Sequence, residues 1–126
     1  MAESYRQALD TPICEKTTAL IKLLLTDEAD QLLAPGAIDT CTLTLYERES
    51  ETIINGRNGS NIKNANGGTI DTEGLALVLA NADNALVDPN INHEVHIALI
   101  QWTWSSSTKA GAKELRLTVF NQAKIS

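Results

Sequence analysis

The sequence predicts an all-β fold, an antiparallel sandwich of about seven strands preceded by an N-terminal arm. Three observations carry that expectation. Short runs rich in Thr, Val, Ile and Leu recur at regular spacing; Asn-Gly, Gly-Gly and Asp-Pro pairs fall between them; and no amphipathic segment of helical length competes. With 126 residues, 43% of them hydrophobic, the chain has material for one compact domain with one core.

Residues 1 to 12, "MAESYRQALDTP", mix charges with few apolar groups and close on Pro12, so they read as an arm that would fray in a monomer. Residues 13 to 126 are expected to form the domain. "TTALIKLLLT" (17 to 26) reads as a strand because it is short, rich in Thr, Ile and Leu, and followed by the turn-forming "TDEADQ"; a buried helix is the rival reading. After the Pro-Gly turn at 35 and 36, "TCTLTLYERE" alternates Thr40, Thr42 and Thr44 with Cys41, Leu43 and Leu45, which is the period of a strand. Further strands are expected at "ETIING" (51 to 56), briefly at "NIKNA", at "GLALVLA" (74 to 80), at "HEVHIALIQWTW" (93 to 104) and at "ELRLTVFNQ" (114 to 122).

The strand at 93 to 104 is apolar on both faces. His96, Ala98, Ile100, Trp102 and Trp104 share one side, while Val95, Ile97, Leu99, Gln101 and Thr103 share the other. A strand of a free sandwich usually turns one face to water, so a second apolar face predicts a cover: a partner protein, or the arm or a long loop of the same chain. The candidate interface is therefore Val95, Ile97, Leu99 and Gln101, joined by Tyr5 and Leu9 of the arm.

Composition narrows the function. A formal charge of −6 argues against direct nucleic-acid binding, which concentrates Lys and Arg on one face. No run of about 18 apolar residues spans a bilayer, and the first residues lack a basic and apolar leader, so a cytosolic site of synthesis or assembly is expected. Cys14 and Cys41 are then expected to stay reduced, and neither a CxxC pair nor a second cysteine cluster offers a zinc site.

Several stretches invite chemical readings and fail them. "INGRNGSNIKNANGG" (54 to 68) lacks the Gly-Lys-Ser/Thr of a phosphate loop and the strand and helix that flank a dinucleotide fingerprint; Asn and Gly at this density build successive tight turns. "HEVH" spaces its histidines by three, which puts His93 and His96 on opposite faces of a strand, one at a loop edge and one half-buried. "DPNINHE" lacks the glycine and closing glutamate of a calcium loop. No serine sits in a nucleophile elbow, and the carboxylates of "TDEAD" and "YERESE" read as solvated turns, so no catalytic residue, cofactor or metal is expected.

From about Thr40 to Gln122, "LTLYERESETIINGRNGSNIKNANGGTID", "GLALVLANADNALVD", "HEVHIALIQWTW" and "ELRLTVFNQ" together resemble a group of small structural proteins of tailed bacteriophages, which are similar to immunoglobulin-like sandwiches. The resemblance implies a non-enzymatic virion component: a capsid decoration or cement protein, or else a neck, tail or baseplate adaptor. Its implied partners are the major capsid protein or a tail or neck protein of the same phage, with self-association into a homo-oligomer. Antibody-type domains carry a Cys…Trp…Cys pattern, whereas here both cysteines precede Trp102 and Trp104, so no inter-sheet disulfide is expected. A reading from another class, a carbohydrate-binding module, requires exposed aromatic platforms, and aromatic residues are only 4% of the chain.

Overall fold

The computed structural model describes residues 6 to 8, as backbone, and 13 to 121. Nine strands follow in chain order: β1 (Arg6–Ala8), β2 (Ile13–Cys14), β3 (Ala19–Leu23), β4 (Ile38–Glu47), β5 (Ser60–Asn61), β6 (Gly68–Asp71), β7 (Gly74–Leu79), β8 (His93–Trp104) and β9 (Lys109–Phe120). Among the described residues, two short 3-10 turns, Pro35–Ala37 and Asn81–Asn84, are the remaining elements. The fold is all-β, as the strand spacing predicts.

A six-stranded sheet runs in the order β1-β9-β8-β4-β5 with β2 also paired to β9, and a three-stranded sheet runs β3-β7-β6. Pairing is antiparallel except at β1 and β2, which lie parallel to β9. Residues 6 to 8 of the expected arm thus extend the edge of the large sheet instead of lying across its face. Tyr5 and Leu9 lie outside the described residues.

Alternation sets what each strand buries. In β4, Cys41, Leu43 and Leu45 are fully buried, and the register brings them beside Trp102, Ile100 and Ala98 of β8. Leu115, Leu117 and Val119 of β9 continue that layer, and Ile21, Leu23, Leu75, Leu77 and Leu79 close it from the three-stranded sheet. Both sheets therefore share one core, each leucine contributing about 1.5–3 kcal/mol on burial.

Three expectations are corrected by packing. "ETIING" is not a strand: only Ile53 makes a bridge, to Tyr46, because the turn after β4 folds back tightly and Glu51 takes a left-handed φ of 61°. "KAGAKE", weak in β propensity, is strand from Lys109 onward because β8 supplies twelve consecutive partners, ending at Trp104↔Lys109. Gly68, read as the last residue of the turn stretch, instead opens β6. Gly68 is required there: a Cβ would stand 2.0 Å from the Ile62 carbonyl oxygen.

Candidate protein interface

The core face of β8 is the one bearing His96, Ala98, Ile100, Trp102 and Trp104, all buried. Trp102 Nε1 donates to the Thr26 carbonyl oxygen at 3.0 Å, and Gly111 opposite it leaves room for the indole, since a Cβ would come within 2.8 Å of Cε2. Trp102 and Trp104 are 3% and 8% exposed, so neither offers a face on which a sugar ring could stack.

The opposite face carries the sequence-predicted residues. Cross-strand register arranges it in rows: Thr42, Gln101 and Ala112; Thr44, Leu99 and Glu114; Tyr46, Ile97 and Arg116; then Val95 with Thr118. Val95 and Leu99 are half-buried and Gln101 is exposed. Ile97 is only 3% exposed yet stands outside the core cluster, because it sits between the long side chains of Tyr46 and Arg116. At the end of the face the His93 and Phe120 rings meet with centroids 5.6 Å apart. The structure thus brings Val95, Ile97, Leu99 and Gln101 onto one side of the large sheet, in an apolar column flanked by hydroxyls and by two charged residues of β9.

A second apolar surface is not legible as such in the sequence. Leu20 of β3 and Val78 of β7 are cross-strand partners on the outer side of the small sheet, 58% and 46% exposed, and Leu24 continues the line. Its signal is "ALIKLLL", in which Lys22 is the one polar residue, too apolar for a strand covered on one side only. Lys22 interrupts the line on an edge strand, a position where a charge discourages edge-to-edge pairing.

Beyond these faces, buried polar groups organise loops. The stretch 54 to 68 does form turns, with Asn55, Asn64 and Asn66 at φ of 53° to 54° and Gly56, Gly59 and Gly67 also positive. Its anchor, missed in the sequence, is Arg57. The guanidinium donates from Nε to Asp83 Oδ1 and from Nη2 to Asp83 Oδ2, both at 3.0 Å, and also reaches Ser60 Oγ and the Asn66 carbonyl. Asn55 Nδ2 and the Ala80 amide complete the shell around the Asp83 carboxylate at 2.8 Å each. Burial pushes the Asp83 pKa up, but donation from Arg57, Asn55 and Ala80 outweighs it and the carboxyl sits below its ordinary value.

Glu47 is not the solvated turn residue expected of "YERESE". It is buried, and its carboxylate accepts from the Glu49 and Ser50 amides at 2.9 Å and from Ser50 Oγ at 2.8 Å, fixing the turn after β4. Burial raises its pKa and those donors together lower it by more, for a net depression. His96, expected half-buried, is fully buried: Nε2 lies 2.8 Å from Glu94 Oε1, and that carboxylate also accepts from the Val87 amide at 2.8 Å. A histidine oriented by a carboxylate resembles half of a catalytic triad, but among the described residues it has no hydroxyl or thiol partner, and its burial leaves no access for a substrate. The pair instead ties the 87 to 94 loop to β8.

One open cleft of about 550 Å³ lies beside Trp104, between the 24 to 30 loop and β9. Asp27, Glu28 and Asp30 face Lys109 and Lys113 there, and Lys109 pairs with Glu28. Asp27 Oδ1 is occupied by the Ala29 and Gln31 amides at 2.9 and 3.0 Å, so its carboxylate shapes the loop. Among the described residues no group of three His, Cys, Asp or Glu side chains is placed to hold a metal ion. Cys14 is exposed and Cys41 buried, both as free thiols; burial pushes the Cys41 thiol up to about 11. No protein family, curated protein or solved structure matches the chain.

Proposed function

We propose that this chain is a non-enzymatic structural protein of a tailed-phage virion, an immunoglobulin-like β-sandwich that decorates the capsid and stiffens the shell by docking on the major capsid protein. The observation that carries the reading is the outer face of β8. Ile97 is buried there without belonging to the core, and Val95 and Leu99 flank it half-buried. Twelve residues at about 3.4 Å each and three strands about 4.8 Å apart give this face about 600 Å². A standard interface buries about 800 Å² per partner, so the face supplies most of one before any loop or second copy contributes. Its mixture of aliphatic groups, threonines and the aromatic rings of Tyr46 and Phe120 suits a broad, flat contact, and the resemblance from Thr40 to Gln122 covers the β4, β8 and β9 strands that build it.

Cryo-electron microscopy of the intact particle tests the reading. Density for this domain on the shell lattice, with β8 turned toward the capsid subunits, is the expected result. Density confined to the tail axis would make the chain an adaptor, and absence of the chain from purified particles would end the virion reading.

A further inference from the structure

Three Asn-Gly pairs, Asn55-Gly56, Asn58-Gly59 and Asn66-Gly67, lie on the surface of one loop, and hydrogen bonding separates them. We infer that Asn58 is a site of spontaneous deamidation in the folded protein and that Asn55 and Asn66 are protected. In this reaction the backbone nitrogen of the following residue loses its proton and attacks the asparagine Cγ. The new C–N bond closes a succinimide ring, the side-chain nitrogen leaves as ammonia, and water then opens the ring to aspartate or isoaspartate. A following glycine favours attack because no side chain blocks the nitrogen. The reaction also requires a side-chain amide free to swing toward that nitrogen and a backbone free to adjust.

Asn55 lacks the first freedom, since its Nδ2 donates to the buried Asp83 carboxylate at 2.8 Å. The product carboxylate would also face Asp83 at like charge. Asn66 lacks both. Its Nδ2 donates to the Asn61 carbonyl at 2.8 Å, its own carbonyl accepts from Arg57, and the Gly67 carbonyl accepts from the Val78 amide at 2.9 Å. The space a Cβ would take at Gly67 is filled by the Val78 oxygen at 2.4 Å, so that backbone has no room to rearrange. Asn58 is exposed, no hydrogen bond among the described residues holds its side-chain amide, and nothing lies within 4 Å of the position a Cβ would take at Gly59. The attacking nitrogen, the Gly59 amide, donates to the hydroxyl of half-buried Thr44 at 3.0 Å, a solvent-facing bond that water replaces.

Arg57 and Lys63 make the test direct, because trypsin places the three pairs in separate peptides, residues 49 to 57, 58 to 63 and 64 to 109. The full chain is aged in mildly alkaline buffer, folded in one sample and in denaturant in another, then digested briefly and the fraction of each peptide that has lost ammonia and gained water is measured by mass spectrometry. The anchoring bonds predict deamidation at Asn58 about tenfold faster than at Asn55 or Asn66 in the folded sample. In denaturant the three should react at similar rates. A folded sample in which Asn55 or Asn66 keeps pace with Asn58, or in which the ranking matches that in denaturant, overturns the inference.

Discussion

Replacing Arg57 by alanine should be among the most damaging single changes to the loops of this protein. The substitution removes both 3.0 Å bonds to Asp83 and leaves a fully buried carboxylate with only Asn55 and the Ala80 amide as donors. Breaking one side of a buried pair costs about 3–5 kcal/mol, and the two surviving donors place this case near the lower end. A loss of about 3 kcal/mol, with a urea slope of about 1–3 kcal/mol per molar, moves the unfolding midpoint by about 1–3 M. Equilibrium urea denaturation of Arg57→Ala, Asp83→Asn and the double variant forms the cycle; the double variant should cost less than the sum, because removing both charges leaves nothing stranded.

Acid supplies an independent reading of the same pair. The Asp83 pKa is depressed in the folded state, so its contribution is fully present above the ordinary value of 3.8 and is lost as pH falls through the lower folded value. Arg57→Ala lifts the folded pKa toward or above the unfolded one. The variant should therefore lose less stability than the native protein as pH falls from about 4 to about 2. A cost below about 1 kcal/mol at neutral pH, or strict additivity in the cycle, would refute the claim that this pair anchors the loop.

Two further changes test the packing. Gly67→Val and Gly68→Val should each lower stability by several kcal/mol, since their Cβ atoms would meet the Val78 and Ile62 oxygens at 2.4 and 2.0 Å, whereas the smaller Ser60→Ala change, which removes an Arg57 partner, should cost about 1 kcal/mol; equal melting temperatures for all three would count against the turn geometry. In the native protein a thiol reagent should modify Cys14 and spare Cys41, with both reacting in denaturant; early labelling of Cys41 would show that the core opens at β4.

Strands with a clear period are legible from residues alone. Thr40 to Leu45 and the whole of β8 follow side-chain alternation, and the doubly apolar face of β8 can be read without coordinates. What the sequence conceals depends on distant partners. Lys109 to Lys113 become strand only because β8 lies alongside, and β1 and β2 join β9 in parallel, a pairing no local pattern announces. Arg57 and Asp83 are 26 positions apart, and each alone looks like a solvated charge. Glu47, Glu94 and His96 escape a local reading for the same reason: burial of a polar group rests on donors and acceptors that the fold assembles.

The proposed docking face is tested most directly by comparing Leu99→Glu with Leu20→Glu, one on each apolar surface. Leu20 is exposed on β3, so Leu20→Glu should melt close to the native protein, whereas Leu99 is half-buried on the outer side of β8 opposite Glu114, so Leu99→Glu should still fold but at a cost of about 1 kcal/mol. The account predicts that Leu99→Glu is lost from purified particles while Leu20→Glu is incorporated as well as the native chain, measured by quantitative mass spectrometry of the particles. Normal incorporation of Leu99→Glu, with loss of Leu20→Glu, would move the interface to the three-stranded sheet and contradict the account.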